Sequence, residues 1–247
     1  MQPVRVTFLG TGSAFSDGGR YHAAYLIQSS KGSLLLDCGP TTLASLKRLD
    51  LPTGQIDQIL LSHFHGDHFA GLPFLFLEYV YVAPRKRPLV IAGPPGVEEF
   101  VSGLFKAMFR DSASEPLPYA IEYIDALPHQ KFLLGGIEIN PFPVPHQEQP
   151  ISLGFELLVE GRKIVYSGDS GWTEDFVSRT QGADLFICEC TFFETRLDTH
   201  MDYPRISENL ARLKAKRIIL THLGEEVQQR RQEIDMELAY DGLSIQL

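Results

Sequence analysis

Cysteine is scarce in this chain. Cys38, Cys188 and Cys190 are an odd number and too few for a disulfide framework, which points to a reducing compartment, the cytoplasm. Long apolar runs are missing as well. The longest, residues 69–84, is broken by Glu78 and carries Gly71 and Pro73, short of the roughly 18 to 20 residues a spanning helix needs. The apolar stretch at 6–10 is too brief for a signal-peptide core, so the expectation is a soluble protein with no membrane partner. Positive charge is in deficit: 22 Lys and Arg face 31 Asp and Glu, a net charge of −9. Broad nonspecific binding to nucleic acid depends on Lys and Arg displacing phosphate counterions and is excluded; a local groove for RNA is not. Internal repeats and low-complexity linkers are absent, so residues 1–247 read as one domain.

What remains is an ordinary globular composition, 44% hydrophobic and 21% charged, which argues for a large buried core. Apolar, β-branched segments alternate with candidate helices along the whole length. The first half predicts strands at 4–9, 24–28, 33–37, 56–62 and 89–92 and helices at 42–49 and 96–110, the second helix opening after Gly93-Pro94-Pro95. The second half predicts strands at 137–141, 152–159, 163–167, 185–190 and 217–221, with helices near 173–180 and 207–215. The aromatic-dense segment 69–82 suits a helix buried against a sheet, with any surplus left to wall a pocket or form a homodimer surface. Such alternation implies α/β layers with helices outside sheets.

The chemistry concentrates in Ser62-His63-Phe64-His65-Gly66-Asp67-His68, an apolar strand running into three histidines and an aspartate. Imidazole and carboxylate suit borderline divalent ions, and a loop at a rigid strand end can aim several side chains at one point. His63 and His65 would reach one ion, Asp67 and His68 another. Three further candidates each follow a predicted strand: His146 after Pro143-Val144-Pro145, where the prolines stiffen a loop; Asp169 after Ser167-Gly168; and His222 after Ile219-Leu220-Thr221. Each alone is an ordinary turn residue; together with the cluster they form a set.

This succession, opened by Leu9-Gly10-Thr11-Gly12-Ser13, resembles the metallo-β-lactamase superfamily of hydrolases over nearly the whole chain. The resemblance implies an αββα sandwich, four layers with two mixed sheets and outer helices, and a binuclear centre between the sheets at one edge. It further implies that His63, His65 and His146 hold one metal, that Asp67, His68 and His222 hold the second, and that Asp169 bridges them. Two divalent ions, zinc first and manganese or iron next, would supply a metal-bound hydroxide usable at neutral pH. Asp67 would double as a group steering or deprotonating that nucleophile.

Within the superfamily, Cys188-Glu189-Cys190-Thr191-Phe192 followed by His200 is similar to the ribonuclease Z branch, with its His-Glu-Ala-Thr motif and later partner histidine. Glu189 and Thr191 match; Cys188 and Cys190 depart. A histidine held by a buried carboxylate is a competent proton donor to a departing alkoxide, which assigns His200 and Glu189 to catalysis. The long tRNA-binding arm of that branch follows the counterpart of His146, and the short stretch from His146 to Asp169 leaves no room for it. The expected activity is therefore hydrolysis of a small or cyclic phosphodiester. The rivals are a ribonuclease Z-like endonuclease at RNA 3′ ends, a metal-dependent thioesterase or lactonase, and, last, a metal-binding sensor without turnover.

Weaker signals have plainer explanations. Gly10-Thr11-Gly12 and Gly18-Gly19 lack the rest of a phosphate loop. Arg20 and His22 stand as either substrate contacts or solvated loop residues, and Arg85-Lys86-Arg87 as either an anion-attracting rim or a solvated turn. Cys188 and Cys190 share one face of a strand and read as small core hydrophobes.

Overall fold

The computed structural model describes residues 3–247. The first sheet collects β1 (Arg5–Gly10), β2 (Ala24–Ser29), β3 (Gly32–Leu36), β4 (Ile56–Leu60), β5 (Leu89–Gly93) and β6 (Ile121–Asp125). The second collects β7 (Phe132–Leu134), β8 (Ile137–Glu148), β9 (Ile151–Val159), β10 (Arg162–Tyr166), β11 (Leu185–Glu189), β12 (Ile218–Thr221) and β13 (Glu237–Leu238). β14 (Ser244–Gln246) returns to the first sheet beside β1, giving the orders β14-β1-β2-β3-β4-β5-β6 and β13-β12-β11-β10-β9-β8-β7.

The alternation of side chains along each strand explains the layering. On β2, Tyr25 and Ile27 point into a core shared with Phe155, Leu157, Tyr166 and Ile187 of the second sheet, while Ala24 and Leu26 point the other way. That outer face is covered by α1 (Thr42–Arg48), α2 (Gly66–Phe69), α3 (Leu72–Tyr81) and α4 (Val97–Met108), with Leu46, Leu75, Phe76, Tyr79, Val101 and Phe105 buried against it. A third core lies outside the second sheet, where Phe176, Ile206 and Val227 of α5 (Asp175–Arg179), α6 (Tyr203–Asn209) and α7 (Glu225–Gln229) meet Val165, Phe186, Cys188 and Leu220. Strands buried on both faces read as continuous apolar runs, and each buried large side chain contributes about 1.5–3 kcal/mol. Helix, sheet, sheet, helix is the αββα sandwich. Among the described residues no helix is long and apolar enough to cross a membrane.

Several expectations need correction. The segment at 143–146 is not a loop: β8 continues as strand to Glu148. Its prolines are tolerated because β7 pairs only with 137–139, leaving the rest of β8 a sheet edge whose outward side needs no N–H donor; the Pro141 carbonyl on that side accepts from the His129 N–H. Asp67 and His68 sit in a helical turn, α2, rather than a loop. The helix expected near 207–215 begins earlier, at Tyr203, because the Asp202 side chain caps the Arg205 N–H and Pro204 suits a first turn. The basic triplet does not rim the centre. Arg85 is buried, donating to the Ile56, Arg87 and Pro88 carbonyls and to Asp57, and Arg87 also joins Asp57.

The carboxyl ends of the parallel strands β3 and β4 in one sheet and β10, β11 and β12 in the other meet at one edge of the sandwich, the place where α/β sheets present functional side chains. Close packing there leaves little tolerance. A Cβ on Gly39 would lie 2.3 Å from the Asp67 carbonyl oxygen and 2.6 Å from His22 Cβ. Gly39→Ala is expected to cost about 2 kcal/mol through overpacking, seen as a melting temperature lower by about 4–8 °C.

Candidate metal centre

Each candidate side chain is delivered by a strand end. β4 leads through Ser62 to His63, His65 and α2. β10 ends at Tyr166, and Gly168, at φ 60, makes the turn that presents Asp169; a Cβ there would lie 2.7 Å from the Leu153 carbonyl oxygen. β12 ends at Thr221, and His222 follows in the left-handed region at φ 56, a conformation uncommon for a residue with a Cβ and frequent at functional sites.

Two overlapping clusters of the expected ligands result, and a third group, Asp169, Glu189, His200 and His222, shares Asp169 with both. His63, His65, His146 and Asp169 bring one donor atom each within 4.8 Å of one another, and so do Asp67, His68, Asp169 and His222. His65 Nδ1 stands 3.0 Å from His146 Nε2. Asp67 Oδ2 is 3.3 Å from His68 Nε2 and 3.2 Å from His222 Nε2. Asp169 belongs to both groups: Oδ1 is 3.1 Å from His68 Nε2, and Oδ2 is 3.4 Å from His222 Nε2 and 3.9 Å from His63 Nε2. His63 Nε2 is buried with no hydrogen-bond partner. A buried nitrogen left unpaired costs free energy, and its aim into a ring of donors fits a cation.

The nitrogens facing outward are tied down. Ser62 Oγ donates to Asp37 Oδ2 at 2.8 Å, so it accepts from His63 Nδ1 at 3.0 Å. His68 Nδ1 donates to Asp37 Oδ2 at 2.9 Å. Asp37 also accepts from the Ser62 N–H at 2.7 Å and the Tyr166 hydroxyl at 2.6 Å. His146 Nδ1 donates to the Thr199 carbonyl at 2.9 Å. Thr191 Oγ1 gives its proton to Glu189 Oε1 at 2.6 Å and accepts from His222 Nδ1 at 2.9 Å. Such outer partners fix which ring nitrogen is free to ligate.

Electrostatics agree. Burial, reinforced by the charge on His68, drives the His63 pKa well below the usual histidine range, and burial with His146 lowers that of His65; both are neutral at pH 7, the form a metal requires. Burial pushes the other way on His68 and His222, but the carboxylates of Asp169 and Asp67 prevail and raise both. The imidazoliums in turn outweigh burial at Asp67 and Asp169 and keep both ionised.

Beside the clusters lies the second pair. Glu189, buried at the end of β11, accepts from the Ser170 N–H, the Thr191 hydroxyl and His200 Nδ1. The His200 ring sits 4.7 Å from that of His146 and stacks at 6.2 Å on that of His222. Burial opposes its charge, but Glu189 prevails and the pKa is pushed up to about 9. The loop carrying His200 is strapped to α7: Glu226 accepts from the N–H groups of Phe193, Glu194 and Thr195 at 2.9, 2.7 and 3.0 Å and from the Thr195 hydroxyl. Burial raises the Glu226 pKa, yet these bonds win and hold it at about 2, against 4.5 ordinarily. A depressed pKa means stabilisation fully present above pH about 4.5 and lost as pH falls toward 2. Glu226→Gln is therefore expected to lower the melting temperature at pH 7 by about 2–4 °C, with the difference from the parent shrinking in scans at pH 4 and 3.

The structure thus brings together Asp67, Glu189, His200 and every histidine and aspartate of the expected ligand set. It leaves out Arg20, which donates to Thr11 Oγ1 and the Ala239 carbonyl, and turns His22 to Ser16 and Thr41. Sequence reasoning missed Asp37, although Leu34-Leu35-Leu36-Asp37 carries the same signal as Asp169, an acid ending an apolar strand.

The comparisons with known proteins extend over the same span. Ribonuclease Z of Lachnoclostridium phytofermentans is 28% identical, over 88% of this chain and 86% of its own length. The crystal structure of the short form of human tRNase Z covers 98% of both chains at 28% identity with a TM-score of 0.79. YhfI of Bacillus subtilis, a metallo-β-lactamase fold protein, covers all of both chains at 23% identity and a TM-score of 0.78, a likeness of fold. The chain is a metal-dependent hydrolase of the metallo-β-lactamase superfamily, in the branch of ribonuclease Z and the phosphodiesterases. Within it, the family model described as Anti-Pycsar protein Apyc1 matches residues 4–242, and the chain belongs to that family.

Proposed function

We propose that the chain acts as one catalytic domain that hydrolyses a small or cyclic phosphodiester at a centre of two divalent ions, zinc first, manganese or iron next. In this reading His63, His65 and His146 hold one ion, Asp67, His68 and His222 the other, and Asp169 serves both. Bound there, the ions supply a nucleophile usable at neutral pH and offset charge on the phosphate oxygens. The observation that carries the reading is the Glu189–His200 pair beside both clusters. With Nδ1 committed to Glu189, the imidazolium offers its Nε2 proton to the departing oxygen and returns to neutral imidazole as the alcohol leaves. An alkoxide needs that proton; a thiolate, a far weaker base, leaves without it.

The short connection between β8 and β9 favours a small substrate. Glu148 pairs with Ile151 across the two-residue turn Gln149-Pro150, a hairpin tip with no arm to grip a folded RNA. The net charge of −9 also disfavours a polyanion. The test is turnover of bis(p-nitrophenyl) phosphate and of a cyclic phosphate beside a thioester and a lactone, with protein loaded in turn with zinc and manganese. Turnover of the phosphodiesters is the expected result. Turnover of the thioester or lactone alone overturns the reading.

A further inference from the structure

Four of the five clustered histidines have outward nitrogens served by groups that only accept there: Ser62 Oγ, whose proton is given to Asp37; Asp37 itself; the Thr199 carbonyl; and Thr191 Oγ1, whose proton is given to Glu189. These four rings are locked with the proton outside. His65 differs. Its Nδ1 faces inward, 3.0 Å from His146 Nε2, and its Nε2 lies 2.7 Å from the side-chain amide nitrogen of Gln147.

His146 has a proton on Nδ1, donated to Thr199, so its Nε2 is an acceptor. Two nitrogens that ligate one ion also stand at about that 3.0 Å distance, so the contact is compatible with His65 Nδ1 and His146 Nε2 as co-ligands. To ligate through Nδ1, His65 must carry its proton on Nε2, and the neighbour of Nε2 must then accept. The carboxamide of Gln147 can do so, because a half-turn exchanges its NH₂ for its oxygen. Gln147 follows His146 directly and precedes the β8–β9 turn, so the same strand end supplies one ligand and the partner of another.

Resting on the metal centre read above, we propose that Gln147 is the positioning residue for His65, its carboxamide oxygen accepting from Nε2–H so that Nδ1 is the nitrogen left to ligate.

The experiment is a stepwise zinc titration of the full chain against a chromophoric chelator, with ¹⁵N-labelled histidine followed by NMR. Expected for the loaded parent is a His65 Nε2 signal of protonated type. In Gln147→Leu, one of the two zinc steps is expected to weaken about tenfold, the low end for loss of a ligand's outer partner because the site is half exposed. The other step and the melting temperature stay as in the parent. Gln147→Glu, which accepts but cannot donate, is expected to restore the weakened step. Zinc affinities in Gln147→Leu within twofold of the parent at both steps, or a His65 Nε2 that is unprotonated after loading, overturn the proposal. If His65→Ala takes up zinc with unchanged stoichiometry and affinity, the metal centre itself is misread, and this inference falls with it.

Discussion

Asp169→Ala is expected to lower turnover of bis(p-nitrophenyl) phosphate by at least about a thousandfold, about 4 kcal/mol of transition-state stabilisation, and to leave fewer than two ions per chain. The size follows from its position. Asp169 is the member common to both donor clusters, with its two oxygens within 3.1 to 3.9 Å of His68, His222 and His63. It is buried, and its ionised state is maintained by the imidazoliums around it. Alanine removes a donor from each group and strips His68 and His222 of a counter-charge. Metal analysis by mass spectrometry alongside the rate separates the cases: loss of rate with both ions retained would argue against a shared ligand. Full rate with full metal content would remove Asp169 from the centre.

His200→Ala carries the second large effect, and its signature is selectivity among leaving groups. General acid catalysis contributes about 10²–10⁴-fold, but only where the departing oxygen is basic. The variant is expected to lose that much on a cyclic or alkyl phosphodiester and little on one that releases p-nitrophenolate, while retaining its metals. Glu189→Gln should follow the same pattern more weakly, since the carboxylate acts by holding His200 charged and oriented. The acid form is the active one, so the rate falls as pH rises through the His200 pKa, about 9 without metal and lower beside bound cations, whose charge opposes the imidazolium. That basic limb should vanish from the pH profile of His200→Ala. An equal loss for both leaving groups would mean that His200 acts on something other than the departing oxygen.

Much of this arrangement was legible in the sequence because each clustered residue terminates an apolar run: Asp169 three residues beyond Tyr166 at the end of β10, His222 directly after Ile219-Leu220-Thr221, the His-rich segment after Ile59-Leu60-Leu61. The strands β1–β5 and β8–β12 were visible for the same reason. β6 was not, since Ile-Glu-Tyr-Ile-Asp at a half-exposed sheet edge has no clear period, and β7, β13 and β14, at two or three residues, are shorter than any pattern can register. The outer partners were illegible on different grounds. Ser62 against His63, Thr199 against His146 and Gln147 against His65 are ordinary polar residues whose meaning comes from where the two sheets set them. The carboxylate of Asp37 lay in plain view, but an acid after a strand is common, and its partners, Ser62, His68 and Tyr166, lie 25 to 129 positions away.

Asp37 also bears on how such a chain diversifies. It follows β3 of one sheet, and the Tyr166 hydroxyl that it accepts ends β10 of the other, so the residue orienting His68 is itself oriented from across the sandwich. Recombination between relatives with a crossover between the sheets would preserve every strand yet pair a carboxylate and a phenol from different lineages. The two halves look like modules in outline, but they are heritable as a unit: a junction there needs parents that match at this contact as well as across the shared core and the donor clusters.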